Sequence, residues 1–453
     1  MKLLTVQDAI AKVNAWFHIP VTHDVIHSGI YRNSEPNQTP YYRVELEWNK
    51  QGEPALDDDG LVNKQTIRAE LDAVSGHMIA FYRHEFRKNG KDQKAEMDNA
   101  LYAVVFPYVL QWIGKLGLPI SESELELKRK QVIDGDLYEL DYGRQYAGIP
   151  VRNFGTFNIK LDQAFGLVHL FCRWDACIFD DRVIPIAPDA FKLQFDSKQL
   201  MLCYMRMLSS EHPYYMWKED TFEAVSGRLV SADRGELTEM IDLQPTKPQR
   251  RQPVKFVHKP IFSADQYEAL RVSDHVTEVD PCAPHPFFPV LSDEEVIKAK
   301  DIAVSYLQQH MSEETCQYAF IRKEGHEVAR SMQGNRLQVE IQRLYNGIPV
   351  IGGAVRLFID RDSWELNHVM DGLEFWKMAS NSNILAYKEP RIAMEEAWSK
   401  LKGKVELNLH YRLEEGVPAN ETKRAILVYT LDCDWICNAV TGEVTKLALP
   451  RTP

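Results

Sequence analysis

The residue types that could ligate a metal or act as nucleophiles occur in this chain at spacings that suit neither task. His326-Glu327-Val328-Ala329-Arg330 opens like a zinc-peptidase helix, but Arg330 stands where a second histidine must coordinate. His84-Glu85-Phe86-Arg87-Lys88 fails in the same way. There is no Gly-x-Ser-x-Gly elbow, no Walker loop and no dinucleotide fingerprint. Asp57, Asp58 and Asp59 before Gly60 lack the alternating oxygens and distal glutamate of a calcium loop, so they read as a solvated hairpin tip. His212 and His285 stand alone in proline-bounded loops and read as turn residues.

The seven cysteines are an odd number, so at least one thiol is unpaired or intermolecular. Cys203, Cys282 and Cys316 are isolated. On a strand, Cys433 and Cys437 would share a face at about 13 Å. Ligands to one zinc need sulfurs within about 4 Å, so the two cannot chelate together without a bend. Cys172 and Cys177 would face opposite sides of a strand unless Arg173–Ala176 turns. Zinc or a disulfide at either pair stays open beside the preferred reading of buried, reduced thiols. The glycosylation sequons at Asn37 and Asn420 carry meaning only on a secretory route. No catalytic, cofactor-binding or metal-ligating residue is singled out, and no cofactor is expected.

The elements that would position any site are more legible, because phrases recur. Ala73-Val74-Ser75-Gly76, Ala224-Val225-Ser226-Gly227 and Ala439-Val440-Thr441-Gly442 each follow a polar residue and precede an apolar stretch. The serines read as small residues that a strand turn needs before glycine, not as nucleophiles. We call the units that carry this phrase turn modules. A second phrase occurs twice, as Tyr146-Ala147-Gly148-Ile149-Pro150-Val151 and Tyr345-Asn346-Gly347-Ile348-Pro349-Val350. Alternating stretches flank each copy, Tyr138–Tyr142 and Phe157–Asp162 in one, Leu337–Ile341 and Val355–Asp360 in the other. Period-two alternation around a glycine turn predicts a β-hairpin, and Asn346-Gly347 suits a primed turn. Pro150 and Pro349 lack an amide hydrogen, which places their strands at a sheet edge or at a strand start. These are the hairpin modules; their aromatic ends, Phe171/Trp174 and Phe375/Trp376, read as core. Tyr41-Tyr42 and Tyr214-Tyr215 predict one core residue each, with the outward partner a candidate interface residue.

Helical spacing precedes several of these units. Thr5 and Asp8 cap a helix with Val6, Ala9, Ile10, Val13, Trp16 and Phe17 on one face. Residues 98–117 repeat the pattern, Ser292 with Glu295 opens a third helix, and a fourth follows Pro390.

With 453 residues the chain exceeds one core, and 45% hydrophobic with 26% charged residues is ordinary for a globular protein. A net charge of −12 and a pI near 5.7 argue against nucleic acid or a polybasic membrane-surface role. No apolar run approaches the roughly 18 residues of a membrane-spanning helix. The first residues turn polar before a signal-type core forms, which predicts a cytoplasmic chain, or an extracellular or envelope one if a leader is missing. Eight of the 23 prolines fall in 245–289, marking a linker or strap. The expected layout is a turn module in 1–92, a hairpin and a turn module in 93–244, the linker, and a second such pair in 290–453.

The Tyr-x-Gly-Ile-Pro-Val hairpins, with Asp162 or Asp360 and the Trp174 or Trp376 region, resemble the YcdB/YcdC repeat of Bacillus-type bacteria. The polar-Ala-Val-Ser/Thr-Gly strands, as in Trp435–Val444, resemble PepSY-type modules. The resemblance covers about three quarters of the chain and implies an α+β fold: tandem modules, each one helix packed on an antiparallel β-sheet, in duplicated halves. For PepSY-type modules it implies restraint or guidance of peptidases, or binding in the cell-envelope zone; for the YcdB/YcdC repeat it implies no activity. The expected function is therefore a non-catalytic binding or peptidase-restraining protein with a protein or peptide partner. Two alternatives stand beside it: a hydrolase with a site assembled at a module junction, and a structural envelope or assembly component.

Overall fold

The computed structural model describes residues 1–32, 42–56, 62–84, 93–152, 154–180, 184–205, 208, 211–218, 220–231, 236–243, 268–273, 276–280, 283, 291–311, 316–322, 328–332, 335–373, 387–414 and 423–447. The fold is α+β, with mostly antiparallel strands in three sheets. Among the described residues there are five α-helices: α1 (Val6–Trp16), α2 (Asn99–Leu116), α3 (Pro188–Lys192), α4 (Asp293–His310) and α5 (Met394–Leu401). The chain forms two compact units. Unit one takes Met1–Arg182, Ala264–His285 and His410–Leu427, and unit two takes Val183–Ser263, Pro286–Leu409 and Val428–Pro453.

Unit one is built on one long sheet. Its order runs from Arg271–Val272 through His23–Arg32, Tyr42–Lys50, Ile67–Asp72, Met78–Arg83, Leu167–Arg173, Thr156–Asp162, Leu137–Tyr146 and Leu125–Ile133 to Lys94–Glu96. Alternation sends Val44, Leu46, Ala69, Leu71, Leu140, Phe157, Ile159 and Leu170 to one face, where α1 and α2 cover them with Ala9, Val13, Val105, Val109 and Ile113. Each such large side chain contributes about 1.5–3 kcal/mol by leaving water. Thr5 caps α1 by accepting from the Asp8 amide, and Asp98 caps α2 by accepting from that of Leu101. Gly117 ends α2 at φ 63°, a left-handed conformation cheap only for glycine. The other face of the sheet is polar. Across it the register aligns Glu47, Arg68, Tyr82, His169, Lys160 and Glu139 in one row. Arg271–Val272, a described part of the proline-rich stretch, adds a strand beside Ile30 and Tyr31.

The three Ala-Val-Ser/Thr-Gly phrases form one turn, built three times. Gly76, Gly227 and Gly442 have φ of 71°, 74° and 73°. Their amides return to the carbonyls of Asp72, Glu223 and Asn438. The alanine is fully buried in every copy. Its carbonyl accepts the amide of a residue just ahead of the module's helix: Leu4 to Ala73, Ile186 to Ala224, Ile392 to Ala439. The hydroxyls of Ser75, Ser226 and Thr441 accept from the amides two residues on, which accounts for the small polar residue there.

Unit two holds a hairpin module and most of two turn modules, while 410–427 of the second of the two belongs to unit one. Strands Pro213–Trp217 and Thr221–Glu223 belong to one turn module, Arg424–Asp432 and Trp435–Asn438 to the other. By analogy with Tyr42–Lys50 and Ile67–Asp72, each pair should close on itself. Instead, Tyr214 and Tyr215 lie opposite Asn438 and Cys437, while Thr221, Phe222 and Glu223 lie opposite Thr430, Tyr429 and Val428. The modules have exchanged strands. The exchange is reciprocal at the helices too, since the Tyr215 hydroxyl donates to Ile392 O (2.8 Å) ahead of α5 and that of Tyr429 to Ile186 O (2.9 Å) ahead of α3. In the hairpin module of this unit, α4 packs Ala299, Ala303 and Leu307 on Leu337, Val339, Ile341, Val355, Leu357 and Ile359.

Candidate binding edges

Each hairpin turns where expected. Ala147 and Gly148 have φ of 50° and 78°, Asn346 and Gly347 49° and 75°, so both central residues are left-handed as a primed turn requires. Of the two placements that the prolines allow, Pro150 and Pro349 take the strand start, each standing second in its strand, Ile149–Pro150 and Ile348–Ile351. Ile348–Ile351 is not an edge: it pairs with Arg336–Tyr345 on one side and, in parallel, with Leu200–Met205 on the other, Val350 opposite Tyr204 and Ile351 opposite Met205. In unit one Val151 forms the corresponding parallel bridge to Tyr411, and the Arg152 amide donates to Tyr411 O at 2.9 Å. Pro349 costs no ladder bond because the parallel partner engages the next two residues.

Rings clasp both junctions. Tyr146 stacks on Phe179 at 4.1 Å, with Tyr411 edge-on to both. In unit two, Tyr204, Tyr345 and Tyr387 meet pairwise at 4.5–5.9 Å. Sequence reading passed over an arginine two residues before each tyrosine, although the recurrence was its signal. Arg343 is fully buried, donates to both carboxylate oxygens of Asp371 (2.8 and 3.0 Å) and to Gly353 O, and faces the Tyr318 ring. Arg144 pairs with Glu124 at 3.0 Å, donates to Asp175 O, and lies against the rings of Phe154, Trp174 and Phe179. Both arginines pin the strand that carries the turn.

Other residues singled out from sequence fall into structural places. Phe171 is 37% exposed, not core, because alternation puts it on the polar face opposite Leu170 and Cys172; Trp174 is buried. Tyr42 and Tyr215 are buried as expected, and Tyr214 is half-buried. Cys172, Cys203 and Cys437 are buried, and burial pushes the Cys172 thiol up to about 12. Cys433 lies between strands and so does not share a strand face with Cys437. Cys177 receives a contact from Arg144 at 3.6 Å. His212 accepts from the Asn438 side-chain amide at Nδ1, 2.8 Å away, and His84 stacks near Tyr82. Asp57–Asp59, His285, His326-Glu327, Glu85–Lys88, Tyr41, Cys282, Asn37, Asn420 and Phe375/Trp376 lie outside the described residues. Among the described residues, no three metal-type side chains converge, and no helix is long and apolar enough to cross a membrane.

A groove of about 370 Å³ runs along Lys94–Glu96 and Leu127–Gln131 at one end of the unit-one sheet. Its cations already have partners: Lys128 with Glu126 at 2.6 Å, Arg129 with Asp141 at 2.5 Å, and Lys130 over the Tyr102 ring. On the polar face, burial and the nearby Lys160 ammonium hold His169 down to about 4, and burial likewise lowers His368. Burial raises the Glu70 carboxyl.

Comparison with known proteins adds little to this geometry. No family model matches the sequence, and no curated protein does. Among solved structures the chain is similar to the Bacillus megaterium YpeB C-terminal domain, at 11% identity over 51% of this chain and 96% of that one, with a TM-score of 0.27. A likeness of that size carries no argument about function.

Proposed function

We propose that this is a non-catalytic polypeptide-binding protein that holds extended segments of its partners along its sheet edges. The observation that carries the reading is the repeated use of strand addition inside the chain. Each Gly-Ile-Pro-Val arm takes a strand from far away in sequence, and two turn modules exchange strands with each other. A fold whose own parts join by adding strands presents the surfaces that β-augmentation needs: backbone hydrogen bonds for affinity, alternate side chains for selectivity. The resemblance to YcdB/YcdC and PepSY-type modules supports the same reading, with a restrained peptidase as one such partner.

The test is a library of extended peptides offered to the full chain, read by binding and by mass change. Saturable binding without turnover supports the reading. Turnover of any library member would assign the protein to the enzymes instead.

A further inference from the structure

The exchange between the two turn modules of unit two has the form of a domain swap. The first turn module shows the unswapped arrangement. There Tyr42–Lys50 lies beside Ile67–Asp72 of its own module, in register from Arg43 opposite Asp72 to Trp48 opposite Ile67. In unit two the corresponding strands pair across modules, and two composite layers result. One joins Leu200–Met205 and Pro213–Trp217 to Trp435–Asn438 and Val444–Lys446. The other joins Thr221–Glu223 and Leu229–Ser231 to residues 428–430.

Side chains from both modules close each layer. In the first, the Trp217 and Trp398 rings meet at 5.0 Å, and the Ala439 amide donates to Pro213 O at 2.9 Å. In the second, Phe191 meets Tyr429 at 4.9 Å, and the hydroxyls of Thr221 and Thr430 are hydrogen-bonded at 3.1 Å. Phe191, Trp217 and Tyr429 are buried. Neither module completes its own core, so each would expose these rings without the other.

The two halves are distant along the chain: Thr221 and Thr430 stand 209 positions apart. A connection of that length holds the halves at a lower effective concentration than a short hairpin link does. A second copy carries both halves with the same residues. Reciprocal exchange between two copies therefore remakes all of these contacts, and protein concentration decides between one chain and two.

We infer that the exchanged turn modules also pair between two copies of this chain, as a reciprocal swapped dimer. Pro213–Trp217 and Thr221–Glu223 of one copy then lie beside Trp435–Asn438 and Arg424–Asp432 of the other. The inference does not rest on the polypeptide-binding reading above, since it concerns the pairing of the chain with itself. Both composite layers must open before the two forms interconvert, so a dimer once formed persists on dilution.

The test puts Thr221→Cys and Thr430→Cys in separate full-length chains. These are mixed in equal amounts, unfolded in urea, refolded at low and at high protein concentration, and oxidised. Opposite residues of antiparallel strands lie within the span of a disulfide. The expected product is a linked pair of chains, its bond mapped to the two introduced thiols by peptide mass spectrometry, with a yield that rises severalfold over a tenfold rise in concentration. The unsubstituted chain, refolded in the same way, should give a dimer by size-exclusion chromatography with light scattering that survives dilution, a readout free of any variant. If Thr221→Cys and Thr430→Cys in one chain link within that chain, but the mixed single variants never link, the exchange is confined to the monomer and the inference is overturned. Absence of a bond in both cases means that the modules do not exchange, which overturns it too. A dimer of the unsubstituted chain without linkage in the mixture places association on another surface and overturns the swap.

Discussion

Arg343 and His169 are the side chains whose surroundings most constrain them. Arg343 is 0% exposed and forms a two-pronged pair with Asp371. Removing one member of a buried pair strands the other charge, at a cost of about 3–5 kcal/mol. Arg343→Met should therefore lower stability by that amount in urea denaturation. Adding Asp371→Leu should recover part of it, because the orphaned carboxylate is then gone. His169 gives a pH signature. Its folded pKa of about 4 lies below the roughly 6.5 of an unfolded histidine, so between those values the unfolded chain binds the extra proton. Its contribution is complete above pH 6.5 and drains away as pH falls toward 4, by up to about 3 kcal/mol. His169→Gln should flatten that part of the stability profile, read as urea midpoints from pH 7 to 4.5. Neither effect was legible in sequence, since a lone histidine or arginine does not disclose its burial. The repeated arginine two residues before each tyrosine was the one available hint.

At the scale of elements, the capping residues, the primed hairpin turns and the turn phrases formed as their residue types require. The prolines allowed two placements, a sheet edge or a strand start, and Pro150 and Pro349 stand at strand starts, in Ile149–Pro150 and Ile348–Ile351. What they did not disclose is the partner: parallel strands engage Val151 in one arm and Val350 with Ile351 in the other. Strand partnership is nonlocal, so no local pattern could reveal it. The exchanged turn modules make an element-scale prediction. Tyr215→Phe and Tyr429→Phe each delete one hydroxyl bond across the exchange, so each should cost about 0.5–1.5 kcal/mol. Comparable losses from both, measured as shifts in the denaturation midpoint at constant slope, are what reciprocity demands. A loss from one alone would show the exchange to be lopsided.

For the whole molecule, sequence order and compact units part company. Unit one collects residues from three stretches, including 264–285 and 410–427. A fragment ending at Arg182 would lack Arg271–Val272 beside His23–Arg32, and Tyr411 and Arg424–Ala425 beside Val151 and Ile178–Phe179. Such a fragment should unfold over a broad, probe-dependent transition, since its edge strands lose their partners while its central core remains. Circular dichroism and tryptophan fluorescence melts that coincide in one sharp transition would show that 1–182 suffices. The charge of −12 and the apolar content bear on solubility and partner class, not on this interleaving.

What the sequence determined by itself is whatever depends on neighbours along the chain. Helix caps, left-handed glycine positions, the period-two strands and the recurrence of two module types all follow from steric preference and from alternation. What only the tertiary structure decided is which strand lies beside which: the exchange between turn modules and the parallel strands on the proline arms. Backbone hydrogen bonds are chemically alike along every strand, so pairing is chosen by burial, loop length and the competition among all edges at once, and that competition exists only in three dimensions.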